Sequence, residues 1–140
     1  MKVMLLFFFM SMALAPQAIF GQEIKKCDSG ILKNTSDQLD HLTPTLVLNF
    51  LSTFDQSCVN NAEFSEWSNE LLFTLLNQNT EMVLLVIQDK GKDIDKKSIL
   101  KEMESQTLDK VDILKLIEKV KKVKLSKDIK DEVISRLSKN

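Results

Sequence analysis

Glycine and proline are scarce in this sequence of 140 residues, which contains 3 Gly and 2 Pro. Their scarcity argues against a turn-rich β-sandwich and against a low-complexity linker protein. Tyrosine is absent, and tryptophan and histidine occur once each. A single histidine excludes every catalytic mechanism that needs two histidines in the same chain. No glycine-rich phosphate loop and no G-x-S-x-G motif is present, so the familiar nucleotide-binding and serine-hydrolase signatures are missing.

The amino-terminal segment has the composition of an export signal. Lys2 supplies a positive charge, residues 3–15 are apolar apart from one serine, and Pro16 ends the run. The run is short for a membrane span and polar sequence follows it closely, which favours a cleaved signal peptide over an uncleaved anchor. We expect cleavage after Gly21, with cleavage after Ala18 as the alternative.

These boundaries predict a signal peptide over residues 1–21 and a single helical domain over residues 22–140, with no transmembrane span after cleavage. The protein is then secreted or periplasmic. A mature chain of about 119 residues is long enough to bury a core of its own.

Two cysteines, Cys27 and Cys58, lie in the predicted mature chain. In an oxidising compartment such a pair favours one structural disulfide. Redox catalysis or metal binding is the alternative, but the spacing lacks C-x-x-C and one histidine makes a poor ligand set. We therefore expect no cofactor and no metal.

The hydrophobic pattern is helical almost throughout. It predicts an all-α protein of 6–7 helices, either a compact antiparallel bundle or a short stack of helical hairpins. Residues 61–78 with 80–90, and 95–106 with 108–124, are the candidate hairpins. Helix starts are expected at Thr43-Pro44, Asn60 or Asn61, Thr80, Asp95, Thr107 and Ser126.

The segment Met82–Ile87 is apolar on all sides, which predicts the most buried element of the fold. Its β-branched residues would also suit a buried strand. We favour a helix, because no second strand is available for pairing.

Two features resemble exported proteins of Bacteroidota. A small residue followed by glutamine at the cleavage point is similar to export signals of that group. The segments 48–54 (LNFLSTF) and 58–73 (CVNNAEFSEWSNELLF) resemble uncharacterised helical proteins of the same group. The resemblance covers about a quarter of the mature chain and implies no activity.

Charge is distributed unevenly along the chain. Residues 22–88 have a net charge of −6, whereas residues 89–140 have a net charge of +4. Lys115, Lys119 and Lys122 fall on one side of a helix, and further lysines follow in the sequence. This basic stripe is the best candidate for contact with a partner protein or an anionic surface, although solvated lysine-rich helices are common. Nucleic acid is disfavoured, because arginine is nearly absent and the chain is exported.

An apolar ligand held between helices is the second possibility. Its lining candidates are Phe50, Phe54, Phe73, Met82 and Met103.

A carboxylate-based hydrolase is the third possibility. Glu63, Glu66 and Glu70 form a stripe at helical spacing, and paired carboxylates can act as acid and base. Acids in the first turns of a helix are, however, commonly favoured because the positive end of the helix dipole stabilises them. Asp37 and His41 share a helix face and could provide two metal ligands, but the sequence offers no third ligand. The sequence therefore predicts an exported, non-enzymatic interaction module.

Overall fold

Helices account for the regular structure of residues 25–140, the part of the chain that the computed structural model describes. There are seven α-helices there: α1 Ser29–Asp37, α2 Pro44–Leu51, α3 Ala62–Gln78, α4 Thr80–Lys90, α5 Lys96–Glu102, α6 Ile113–Lys122 and α7 Lys127–Leu137. Short 3₁₀ segments cover Leu39–His41 and Gln56–Asn60. No strand occurs within these residues, so the predicted all-α class is confirmed. The predicted signal peptide and its cleavage site lie outside the described residues.

Polar caps place the helix starts of α2, α3 and α5. The Thr43 hydroxyl accepts a hydrogen bond from the Leu46 N–H at 3.2 Å, and Pro44 occupies the first helical position. Asn61 caps α3 and Asp95 caps α5 through side-chain oxygens that accept from backbone N–H groups three residues on. These three predicted starts are confirmed.

Thr80 does not cap α4, contrary to the prediction. It is the first residue of that helix, and its hydroxyl donates to the Leu76 carbonyl of α3 at 2.6 Å. Ser126 does precede α7 as predicted, but its side chain makes no capping hydrogen bond.

The helix expected from Thr107 begins later, at Ile113, with Asp112 as its cap. The Gln106 side chain holds the preceding turn: its Nε2 donates to the Val111 carbonyl at 2.9 Å, and its Oε1 accepts from the Val111 N–H at 3.3 Å. Hydrogen bonds from the Gln106 side chain to the backbone thus take the place of the backbone hydrogen bonds of a helix in this turn.

α4 is a helix as expected, but it is not buried on every side. Val83, Leu84 and Ile87 are fully buried, whereas Leu85 is 38% exposed. The helix therefore has a solvent side despite its apolar sequence.

One hydrophobic cluster contains side chains from all seven α-helices. α1 packs on α2 and α3, and α4 packs on α2, α3 and α6. The predicted pairing of α3 with α4 is present. α5 packs mainly against α7 rather than forming a hairpin with α6. The result is a compact arrangement around one core.

The predicted disulfide joins Cys27 to Cys58, with a Cα–Cα distance of 5.5 Å. Cys27 adopts a left-handed backbone conformation with φ 55°, and its N–H donates to the Thr53 carbonyl at 3.0 Å. The bridge ties the segment before α1 to the 3₁₀ turn that leads into α3. Among residues 25–140, no helix has both the length and the hydrophobicity needed to cross a bilayer.

Candidate functional site: the exposed face of α6

The candidate site is built on the solvent side of α6. Leu116, Ile117 and Val120 turn inward to the core. At 100° per residue, the intervening positions turn outward. They border a shallow, open depression, which we name the α6 face: Asp112, Leu114, Lys115, Glu118, Lys119 and Lys122.

Leu114 is the most exposed large apolar side chain in the described part of the chain, at 76%. Its position borders the buried arc of α6 formed by Leu116, Ile117 and Val120, but its side chain does not reach the core. An exposed leucine bordered by charged side chains gives this face one apolar contact point with a polar surround.

The two acids of the α6 face are neutralised within the chain. Asp112 lies 3.2 Å from the Lys115 ammonium, and Glu118 lies 2.7 Å from Lys121. The carboxylate of Asp112 accepts hydrogen bonds from Lys115, with the larger effect from the backbone N–H and the smaller from the side chain. These bonds hold the pKa of Asp112 below its ordinary value. The hydrogen bond from Lys121 does the same for the pKa of Glu118.

The three predicted lysines lie on this one face, but their surroundings differ. Lys119 donates to the Asn77 backbone carbonyl at 2.6 Å and to its side-chain oxygen at 2.7 Å, and so binds the last turn of α3. These partners are neutral, so Lys119 keeps its net charge. Lys122 makes no hydrogen bond or ion pair within residues 25–140. Lysines in the last turn also suit the negative end of the α6 dipole.

The lysines that follow α6 are partly engaged elsewhere. Lys127 pairs with Asp131 one turn along α7, and this hydrogen bond raises the pKa of Lys127. Lys130 donates to the Val123 carbonyl at 3.4 Å. The basic surface is therefore narrower than the sequence suggests.

The candidates for an apolar ligand site are mostly core residues. Phe50, Phe73 and Met103 are at most 2% exposed. Phe50 and Phe54 pack edge to face, with ring centroids 5.2 Å apart. Met82 is partly buried against the same cluster. Phe50, Phe73 and Met103 thus belong to the core, whereas Phe54 also lines a cavity beside Cys58.

The three carboxylates of the predicted stripe have different surroundings. Glu63 and Glu66 are exposed, whereas Glu70 pairs with Lys110. Asp37 pairs with Lys33 at 2.5 Å, and His41 is exposed. No cluster of three or more His, Cys, Asp or Glu side chains within residues 25–140 is placed to hold a metal ion.

Sequence reasoning missed a second cluster, on α5. Lys97 and Lys101 are four residues apart and border a cavity beside Cys58. The i, i+4 spacing was a usable signal, but the other side of the cavity comes from a segment about 40 residues earlier in the chain.

No protein-family model, curated protein or solved structure shows significant similarity to this chain. The resemblance of residues 48–54 and 58–73 to uncharacterised exported helical proteins of Bacteroidota thus stays a prediction.

Proposed function

We propose that this chain is an exported, non-enzymatic binding module that contacts an acidic protein partner through the α6 face. The exposure of Leu114 is the observation that carries the proposal. It offers an apolar anchor on a face where three lysines outnumber two acids.

The charge pattern supports an acidic partner. Because Asp112 and Glu118 are already paired with lysines of the same chain, the charges of Lys119 and Lys122 remain uncompensated. A partner with an apolar side chain surrounded by carboxylates would match this arrangement and would associate faster at low salt.

Export is supported by the amino-terminal pattern together with the disulfide, since disulfides persist mainly in oxidising compartments. An extracytoplasmic partner is therefore proposed.

The test compares recovery of partners from an envelope extract by three immobilised proteins. The α6 variant carries Leu114→Ser, Lys115→Gln and Lys122→Gln; Lys119 is left unchanged because it also binds α3. The matched control carries Leu85→Ser, Lys90→Gln and Lys92→Gln, which make the same chemical changes around the exposed leucine of α4.

We expect the wild type and the α4 control to recover the same protein in equal yield, and the α6 variant to recover at least tenfold less. Equal recovery by all three would contradict the proposal. So would binding of the wild type to vesicles of anionic lipid with loss in the α6 variant, since that result assigns the face to a membrane surface.

A further inference from the structure

The α6 face follows a single helix. Within residues 25–140, every side chain that borders its depression comes from α6 or from the residue that caps it. From Asp112 to Lys122 the face extends over ten positions, which at 1.5 Å per residue is about 15 Å. A narrow surface of this length along one side of a helix matches the ridges and grooves of a second helix.

An extended segment of a partner would find no backbone partner at this face. Such segments gain affinity by hydrogen bonding to the edge of a sheet, and no strand occurs in residues 25–140. A helical partner satisfies its own backbone groups and needs only side chains for contact. The α6 face therefore favours a helix as its occupant.

Charge is distributed unevenly along the face. Leu114 lies near the amino end of α6, where Asp112 is already paired with Lys115 at 3.2 Å. Lys119 and Lys122, near the carboxyl end, have no carboxylate partner within the described residues. They follow Leu114 by five and eight positions, about 7.5 and 12 Å along the helix axis. A matching partner must therefore hold an apolar side chain and, about one to two turns away, its carboxylates.

The helix dipole gives such a partner a direction. Carboxylates are most favourable in the first turn of a helix, where they lie at the positive end of its dipole. If these carboxylates contact Lys119 and Lys122, the first turn of the partner helix lies beside the last turn of α6. The two helices then run antiparallel, with opposite dipole ends adjacent.

We infer that the α6 face binds an antiparallel amphipathic helix that has an acidic first turn and a leucine-sized apolar side chain about two turns later. The inference rests on the proposed function, because it specifies the acidic partner of the same face.

A synthetic helical peptide tests the inference. It has about 18 residues, because shorter isolated helices are marginal in water, with glutamates in its first turn and one leucine two turns later. Binding to the full chain is measured by titration calorimetry. A spin label beside the glutamates, or beside the leucine, reports the direction of the peptide through NMR line broadening. We expect the first label to broaden the signals of Lys122 and the second to broaden those of Asp112.

Two altered peptides separate the effect of charge from that of conformation. Replacing the glutamates by glutamine removes the charge but keeps a good helix former, and we expect binding at least tenfold weaker. Placing a proline between the glutamates and the leucine breaks the helix and leaves the charge unchanged. We expect a loss of similar size.

Protein variants then locate the site. The α6 variant defined above should bind the acidic peptide at least tenfold more weakly than the wild type. The α4 control should bind it as the wild type does, since it changes another exposed leucine and two other lysines.

The inference is overturned by any of four results. These are no binding of the acidic peptide at millimolar concentration, equal binding of either altered peptide, a broadening pattern that corresponds to parallel helices, and unchanged binding by the α6 variant. If one of them occurs while the α6 variant still loses the partner from the extract, only the antiparallel acidic helix is wrong. Equal recovery from the extract by all three immobilised proteins contradicts the proposed function itself.

Discussion

Asn69 and Thr107, 38 positions apart, are joined by a 2.8 Å hydrogen bond from the Thr107 N–H to the Asn69 side-chain oxygen. The amide nitrogen of Asn69 donates in addition to the backbone carbonyls of Glu102 and Ser105, at 3.0 and 3.1 Å. Asn69 is only 3% exposed. One buried side chain therefore satisfies three backbone groups of the α5–α6 connection.

Replacing Asn69 by alanine should leave those groups without their partners. We expect the free energy of unfolding to fall by about 2 kcal/mol, in the range for unsatisfied buried polar groups. Urea denaturation measures the loss, and hydrogen exchange should increase in residues 103–112. Asn60→Ala, at an exposed position, is the matched control; an equal effect of the two substitutions would contradict the assigned role.

The disulfide should contribute strongly to stability. Its sequence separation is 31 residues, and a loop of that size constrains the unfolded chain by about 3 to 4 kcal/mol in the entropy model. We expect the double variant Cys27→Ser, Cys58→Ser to unfold at correspondingly lower denaturant, and wild type in reductant to match it. A reductant-insensitive wild type would argue against this contribution.

Glu104 should make stability depend on acid pH. Hydrogen bonds from Lys139 and then Arg136 lower the pKa of this carboxyl in the folded state. A lowered folded-state pKa adds stability that is complete above the ordinary glutamate value of about 4.3 and is lost as pH falls through the folded pKa.

The difference in unfolding free energy between the wild type and Glu104→Gln should therefore be constant near neutrality and shrink below about pH 4.3. Denaturation curves from pH 7 to pH 2 measure it. Glu81→Gln, at an exposed position, serves as the control substitution. A difference that grows as the pH falls would contradict the lowered pKa of Glu104 in the folded state.

Replacing Phe73 tests whether this side chain packs the core or lines a ligand site. If it packs the core, as its 2% exposure indicates, Phe73→Ala should destabilise the protein by about 3 to 5 kcal/mol. Leu114→Ala should change stability by less than about 0.5 kcal/mol. A stable Phe73→Ala protein that loses affinity for octanol would instead favour the apolar carrier.

The fold class and most helix starts could be predicted because their signals are local. Thr43-Pro44, Asn61 and Asp95 each lie within three residues of the N–H group or the helical position that they stabilise. The predicted start of α6 was wrong because the contacts that set it are not local. The turn before it is held by Gln106 and by distant Asn69, and no local pattern identifies a partner 38 residues away.

The candidate surface was predicted in part. Helical spacing grouped Lys115, Lys119 and Lys122 correctly on one side of α6. Periodicity could not show that Leu114 faces solvent, since its position on the wheel borders the buried arc. The role of Lys119 at the end of α3 depends on how α3 and α6 pack, which spacing within one helix does not contain.

The Cys27–Cys58 bond also changes how the chain would respond to proteolysis and to force. A cut anywhere in residues 28–57 leaves both fragments covalently attached, so nicked protein would migrate as one species until it is reduced. Tension applied at residue 25 would pass through the sulfurs to the start of α3, and α1 and α2 would be shielded from the load.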